Sequence, residues 1–230
     1  MGKKECGSLA TKVVIIGAGG FAREVVDIFD ACNRSGTMYD VIGYVVDREY
    51  GLPGTLINER PILGDFDWLR QHANDVHVIC SIGAPQHRRQ LVLRAKELGC
   101  RFCSVVHPCA VMTRWVKMGD GVVITAGCNI TNQISLGNHV HVNLASTIGH
   151  NSILEDFVTL APGAHISGNV TLGEGCYVGT GANIIEKIKV GAWSIVGAGS
   201  TIIKDVPANT TVFGVPGRIV ETRERGWHQV

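Results

Sequence analysis

The sequence predicts a chain in two parts. Residues 1–103 are expected to form a small half-Rossmann-like α/β domain, and residues 104–230 an all-β left-handed parallel β-helix with a C-terminal tail. Two observations predict this: a glycine turn between a strand-like and a helix-like segment, and an aliphatic residue at every sixth position. With 21 basic and 20 acidic side chains, the chain shows no charge imbalance that would favour nucleic acid or an anionic membrane as a partner.

The α/β prediction begins with residues 12–29, which read KVVIIGAGGFAREVVDIF. An apolar run of strand length meets a glycine turn, and an amphipathic helical pattern follows. Gly17, Gly19 and Ala22 match the pattern G-x-G-x-x-G/A. Such glycines allow a tight turn and let backbone N–H groups approach a phosphate at a helix N-terminus.

Two more strands and a helix are expected in this part. Residues 41–46 form a strand ending at Asp47, whose carboxylate can accept hydrogen bonds from a ribose hydroxyl. Residues 76–82 form a third strand ending at Gly83, and a helix follows over residues 85–98. This is half of a dinucleotide fold, enough for one nucleotide. The alternative is a generic α/β packing domain with a glycine turn.

The β-helix prediction rests on a period of six residues. From Val106 to Ile202 every sixth residue is aliphatic or methionine, and the residue four positions after each is small or aliphatic. This period fits a triangular coil of about eighteen residues, in which each side points one long and one smaller side chain inward. Segments such as Leu136-Gly137-Asn138 are expected at the corners, where the backbone needs positive φ or tight bends.

The eight cysteines are expected to be free thiols of a cytoplasmic protein. No apolar run reaches the roughly 18 residues of a membrane span, and no cleavage site follows the N-terminus. Cys100 and Cys103 form a single C-x-x-C pair, which we interpret as buried small side chains and not as a metal site. Cys128 and Cys176 fall in the inward column of the repeat and are therefore predicted core residues.

These motifs resemble those of the bacterial sugar O- and N-acyltransferases, which include sialic acid O-acetyltransferases and enzymes that acetylate UDP-linked 4-amino-4,6-dideoxy sugars. The similarity covers about residues 12–220 and is carried by VVIIGAGGFAREV, ICSIGAPQHRR, VNLASTIGHNSILEDFVTLAPGAHISGNVTLGEG, IVGAGST, KDVP and FGVPGR. It implies an N-acetyltransferase that uses acetyl-CoA and no metal, acting on a nucleotide-linked amino sugar in bacterial glycan biosynthesis. It also implies a homotrimer with active sites between subunits.

The resemblance further implies roles for single residues. The segment STIGH carries the family's catalytic histidine, here His150, and the usual acidic neighbour is replaced by Asn151. A second histidine, which meets acetyl-CoA in the family, is replaced by Thr159. The implied acetyl-CoA contacts are Thr159, Gly168, Thr180, Ala198 and Arg218, the last in GVPGR where the family has GVPAK. The implied nucleotide-sugar contacts are Gly19, Gly20, Phe21, Asp47 and Gly83.

His150 also stands out without the resemblance. Acetyl transfer from a thioester to an amine needs a base, and histidine is the usual one. His150 lies outside both inward columns, at a turn beside a glycine. His141 and His139 are the alternatives. For His141, which lies one coil beneath Thr159, we favour an exposed strand residue or an intersubunit contact.

Other functions stay open at this point. A γ-type carbonic anhydrase shares the β-helix and needs three histidines on zinc, which His139, His141, His150 and His165 could supply, but it lacks the N-terminal nucleotide half. A sugar O-acetyltransferase of the sialic-acid type differs in the group acetylated. A nucleotide-sugar sensor or scaffold would show no turnover. A nicotinamide oxidoreductase is disfavoured, because the β-helix replaces the second half of the dinucleotide fold.

Overall fold

A computed structural model describes residues 10–227. Its N-terminal part is an α/β layer whose elements come in the following order: β1 (Thr11–Ile16), α1 (Gly20–Arg34), β2 (Tyr39–Val45), a 3₁₀ turn (Arg48–Tyr50), β3 (Leu56–Ile57), β4 (Arg60–Gly64), α2 (Phe66–His72), β5 (His77–Cys80), α3 (Pro85–Glu97) and β6 (Arg101–Phe102). The sheet order is β3-β4-β2-β1-β5-β6. All neighbours pair in parallel except β3 and β4, which form a hairpin.

The centre of this sheet is apolar on both faces because helices cover both. Residues 13–16 of β1 are at most 1% exposed. Helix α1 packs on one face, and α2 and α3 pack on the other, as parallel sheets require. The predicted strands 41–46 and 76–82 and the predicted helix 85–98 are present with shifted ends. Helix α2 and the β3–β4 hairpin were not predicted.

Seventeen two-residue strands follow, from Val105–Val106 to Thr201–Ile202. They stack into three parallel sheets, here called the first, second and third faces. The first face contains Val105–Val106, Val123–Ile124, His141–Val142, Thr159–Leu160, Tyr177–Val178 and Ile195–Val196. The second face contains Val111–Met112, Asn129–Ile130, Thr147–Ile148, His165–Ile166, Asn183–Ile184 and Thr201–Ile202. The third face contains Lys117–Met118, Ser135–Leu136, Ile153–Leu154, Thr171–Leu172 and Lys189–Val190.

The predicted left-handed β-helix is therefore confirmed, with the long aliphatic residue of each hexad as the second residue of its strand. Cys128 and Cys176 are fully buried in its core, as predicted. The first face ends with a C-terminal hairpin of two longer strands, Thr210–Phe213 and Arg218–Thr222.

The corners differ in one respect from the prediction. Every sixth residue from Gly121 to Gly199 has positive φ, whether or not it is glycine, as at His139 with 56°. Gly137, a predicted corner glycine, precedes this position and is needed for another reason. A Cβ on Gly137 would lie 2.7 Å from the backbone nitrogen of Asp156 in the next coil. The glycine therefore makes room for a neighbouring chain segment, and the left-handed turn comes two residues later.

The two parts of the chain share a packed junction. The α/β sheet ends at Phe102 and the first face begins at Val105; the domain boundary between residues 103 and 104 remains a prediction. Val105 and Val123 of the first face are buried with the core of the α/β domain. The cysteines within residues 10–227 are free thiols. Cys6 and His228 lie outside the described residues. No helix in the described part is both long and apolar enough to cross a membrane.

Candidate active site

The predicted catalytic histidine lies exposed at the corner between the second and third faces. His150 Nδ1 is 2.9 Å from Oδ1 of Asn151, and Nδ2 of Asn151 donates to Oε1 of Gln133 at 3.0 Å. Because the amide nitrogen is used on Gln133, Oδ1 is left to accept from the N–H at Nδ1. His150 Nε2 then carries the lone pair that a general base needs.

Gly168 lies against this imidazole, one coil further along the chain. A Cβ on Gly168 would come within 2.8 Å of both Cε1 and Nε2 of His150. The backbone N–H of Gly168 makes no hydrogen bond within residues 10–227. The structure thus brings together three predicted site residues, His150, Asn151 and Gly168. It adds Gln133, which sequence reasoning missed although the eighteen-residue coil places it directly beneath Asn151.

The other predicted acetyl-CoA contacts lie elsewhere in the chain. Thr180 and Ala198 are exposed, one coil apart, at the corner between the first and second faces. Arg218 begins the exposed second strand of the C-terminal hairpin. Within one chain, Thr180 and Ala198 are separated from His150 by the whole width of the second face. Their contacts with acetyl-CoA remain predictions.

Thr159 is buried where the α/β domain meets the first face. Its hydroxyl accepts from Nη2 of Arg88 at 2.9 Å and donates to the carbonyl of Gly83 at 3.0 Å. The hydroxyl is therefore engaged in the domain junction. A contact of Thr159 with acetyl-CoA remains a prediction.

A cavity of about 660 Å³ lies at the carboxyl ends of β1, β2 and β5, and we call it the nucleotide cavity. Gly17, Gly19 and Asp47 are among its lining residues. Helix α1 begins at Gly20 without a side-chain cap, so its first N–H groups are available to an anion. Both Nη atoms of Arg94 donate to the carboxylate of Asp47, at 2.9 and 3.1 Å. A ribose hydroxyl would therefore share that carboxylate with Arg94.

A second cavity of about 540 Å³, the junction cleft, lies between the α/β domain and the first face. Phe21, Gly83 and Thr159 line it, so two predicted substrate contacts and one predicted cofactor contact meet there. Ile82 lines the nucleotide cavity, whereas Gly83 and Ala84 line the junction cleft. The loop of residues 82–84 therefore borders both.

The prediction that His141 is exposed or at a subunit contact is wrong. Its side chain is fully buried, and its Nδ1 is 2.9 Å from Nη1 of Arg88. Burial, and then the nearby guanidinium, hold the pKa of His141 well below its ordinary value. His139 is also fully buried, between Phe102 and Phe157, and burial lowers its pKa to about 3. Both residues lie under the α/β domain, whose position the repeat pattern could not show.

The histidines considered for a zinc site do not converge. His139 and His141 are enclosed in the junction, so they cannot present ligands at a surface shared with another subunit. His165 is exposed on the second face and forms a hydrogen bond with the hydroxyl of Thr147. His150 lies at the corner between the second and third faces. In the part of the chain that the structure describes, no group of three or more His, Cys, Asp or Glu side chains could hold a metal ion. Burial of His139 and His141 thus withdraws two of the four histidines that the carbonic anhydrase alternative considered.

Comparisons with known proteins agree with this architecture. Residues 12–95 match the family model of the PglD N-terminal domain. A GDP-perosamine N-acetyltransferase from Escherichia coli O157:H7 is 28% identical over 149 residues, which are 65% of this chain and 66% of that protein.

Solved structures are similar over nearly the whole chain. A mutant of perosamine N-acetyltransferase from Caulobacter crescentus, in complex with CoA and GDP-perosamine, is 28% identical with a TM-score of 0.85, over 93% of this chain and 98% of that one. The acetyltransferase domain of PglB from Neisseria gonorrhoeae, in complex with acetyl coenzyme A, is 30% identical with a TM-score of 0.83, over 92% and 100%. The chain therefore belongs to the family of acetyl-CoA-dependent sugar acyltransferases in which a PglD-type N-terminal domain precedes a left-handed parallel β-helix.

Proposed function

We propose that the chain transfers the acetyl group of acetyl-CoA to the amino group of a nucleotide-linked amino sugar, with His150 as the general base. The observation that carries this proposal is that one chain combines a nucleotide cavity, at the carboxyl ends of parallel strands, with an oriented histidine beside a glycine. Because two of the similar proteins act on or bind GDP-perosamine, a GDP-linked amino sugar is the first substrate to test.

The two cavities suggest how such a substrate lies. The nucleoside would occupy the nucleotide cavity, and the diphosphate would meet the uncapped N-terminus of α1 at Gly19 and Gly20. The sugar would then pass the loop of residues 82–84 into the junction cleft, beside Phe21 and Gly83. This path places the diphosphate where the free N–H groups are and the sugar against the β-helix.

The chemistry needs a base and an oxyanion donor. The sugar nitrogen attacks the carbonyl carbon of the thioester while Nε2 of His150 takes a proton from the nitrogen. The tetrahedral oxyanion forms within reach of a backbone donor, for which we propose the free N–H of Gly168. The C–S bond then breaks, the thiolate takes the proton from Nε2 of His150, and an amide and CoA are released, which restores the unprotonated base.

We further propose a homotrimer around the second face. The predicted base lies at one edge of this face, and Thr180, Ala198 and the junction-cleft residue Asn143 lie at or beside the other. The threefold axis would run alongside the second faces of the three subunits, so that one edge of this face in each subunit meets the opposite edge in the next subunit. His150 would then face Thr180 and Ala198 of the partner subunit. We place the reaction in the cytoplasm, where thiols such as those of this chain stay reduced.

The test is to incubate the purified chain with acetyl-CoA and GDP-, UDP- or dTDP-linked amino sugars, and to follow thiol release. We expect turnover with one nucleotide and an amide product identified by mass spectrometry. The matched control replaces the amine of the same nucleotide sugar by a hydroxyl. Faster acetylation of that control would indicate a sugar O-acetyltransferase, and nucleotide binding without turnover on any substrate would indicate a sensor or scaffold.

A further inference from the structure

A fully buried arginine connects the nucleotide-binding half of the chain to the β-helix. Arg88 lies on α3 and is 0% exposed. Its Nη1 donates to the carbonyls of Ile82, at 2.8 Å, and Gly83, at 3.2 Å. These carbonyls belong to the loop of residues 82–84, which borders both the nucleotide cavity and the junction cleft.

The same guanidinium also forms hydrogen bonds with the β-helix. Its Nη2 donates to the carbonyl of Phe157 at 2.6 Å and to the hydroxyl of Thr159 at 2.9 Å. Its Nη1 lies 2.9 Å from Nδ1 of His141, one coil below Thr159. The Thr159 hydroxyl in turn donates to Gly83. One planar group thus fixes the loop, the first face and the contact between them.

No carboxylate pairs with Arg88 within residues 10–227, in contrast to its neighbours on α3. Arg94 pairs with Asp47 and Arg89 pairs with Glu174, and both pairs are partly exposed. Burial lowers the pKa of Arg88 to about 9. A buried cation without a counter-ion is costly, and an apolar side chain could fill a junction without that cost. What an apolar side chain could not do is hold several carbonyls at fixed directions.

We infer that Arg88, assisted by Thr159, is a positioning residue that sets the placement of the α/β domain on the β-helix, and with it the reach of the sugar amine toward the catalytic base. The inference rests on the proposed function. The nucleotide is bound mainly by the α/β domain, whereas acetyl transfer takes place at the edge of the β-helix, which the proposed trimer would bring against His150 of the partner subunit. The binding energy of the nucleotide can orient the amine only if the α/β domain and the β-helix keep a fixed relative position.

This role makes a specific prediction about kinetics. Weakening the junction displaces the sugar from the base, whereas Gly17, Gly19 and Asp47, which line the nucleotide cavity and make no contact with Arg88, keep their positions. A displacement of about 1 Å at the reacting atoms can lower turnover by about 100-fold. Affinity for a nucleoside diphosphate, which does not reach the β-helix, should change little.

The experiment uses full-length Arg88→Lys and Thr159→Val, with Arg89→Met as the matched control. Arg88→Lys keeps the charge but loses the planar fork, and Thr159→Val keeps the shape but loses the hydroxyl. Arg89 is the next residue on α3, and its ion pair with Glu174 also reaches the β-helix, but at the surface. For each protein, kcat is measured with the nucleotide-linked sugar, Kd for GDP and UDP by calorimetry, and Tm by circular dichroism.

We expect kcat to fall at least about tenfold in Arg88→Lys, and less in Thr159→Val, with the nucleoside diphosphate Kd within threefold of wild type in both. Arg89→Met should match wild type in both quantities. A parallel loss of kcat and nucleotide affinity, or kcat within twofold of wild type in both variants, would overturn the inference. If Arg88→Lys or Thr159→Val is too unstable to purify, the remaining variant alone is measured against the same criteria. Failure of the proposed function is recognised separately, because the wild-type chain would then show no turnover.

Discussion

An asparagine stands beside the predicted base, in a position where it can orient the imidazole but adds no charge. Asn151 adopts positive φ, 61°, at the corner and spans from His150 to Gln133. His150 and Asn151 could be predicted from the STIGH segment, and Gln133 could have been found by stepping back one coil. Arg88 could not, because only the docked domains show that its guanidinium lies between them.

The first prediction concerns His150. Replacing it by alanine should lower kcat at least about 100-fold, the usual range for a lost general base. The side chain is exposed, so Tm should barely move. The control is His72→Ala, which removes an imidazole from α2, where it lines neither the nucleotide cavity nor the junction cleft. Turnover of His150→Ala within threefold of wild type would place the base elsewhere.

The second prediction concerns the missing carboxylate. Asn151→Asp puts a negative charge next to the imidazole and stabilises its protonated form. The unprotonated base is then lost at a higher pH as acid is added, so the acidic limb of the pH profile of kcat/KM should move to higher pH. Asn169→Asp is the control, since Asn169 has the same corner conformation, φ 58°, one coil further on. Its shift should be smaller. Coinciding limbs for wild type and Asn151→Asp would show that residue 151 does not act on the base.

The secondary-structure elements that could be predicted were those in segments with a regular spacing of apolar residues. The six-residue column from Val106 to Ile202 predicted the strands of all three faces, because each hexad is fixed by its own inward residues. Helix α2, Phe66–His72, and the β3–β4 hairpin lie in a stretch without a clear period. A helix of seven residues is held by tertiary packing, here through Phe66 and Leu69, and such packing is not visible in the sequence.

The third prediction tests the edge of the sheet that forms the nucleotide cavity. Asp47→Ala should raise KM for the nucleotide-linked sugar several-fold and leave KM for acetyl-CoA unchanged, because it removes a ribose acceptor and releases Arg94. Asp67→Ala is the control: it removes an exposed carboxylate that pairs with Arg70 and does not line this cavity. An unchanged KM in Asp47→Ala would exclude the predicted ribose contact.

The fourth prediction tests the C-terminal hairpin. Arg218→Glu reverses the charge at the start of the exposed strand Arg218–Thr222. If Arg218 meets a CoA phosphate, KM for acetyl-CoA should rise about tenfold or more, and KM for the sugar should stay nearly unchanged. Arg225→Glu makes the same charge change just beyond the hairpin and should have little effect. The opposite selectivity would mean that the hairpin serves the nucleotide sugar.

For the molecule as a whole, the sequence predicted two parts but not their mutual placement. The repeat makes the three faces nearly equivalent, so it does not reveal which one the α/β domain covers. That choice buries His139 and His141 and creates the junction cleft. The error about His141 follows directly from it.

The fifth prediction is the assembly. Light scattering at micromolar concentration should give three times the mass of 24.7 kDa, and the second face should be protected from hydrogen exchange at its edges. His150→Ala should show the same mass, since the loss of a base does not require loss of the trimer. A monomeric mass for the active wild-type protein would contradict the proposed site between subunits.

The stacking of the coils has a consequence for how the chain becomes ordered. Each strand of the β-helix pairs only with the strands one turn before and after it, as His141 does with Val123 and Thr159, so every coil serves as the template for the next. The first strand of the stack, Val105–Val106, is packed against the core of the α/β domain. During synthesis that domain leaves the ribosome before any coil does. It can therefore act as the seed on which the β-helix grows, one turn at a time, toward its C-terminal hairpin.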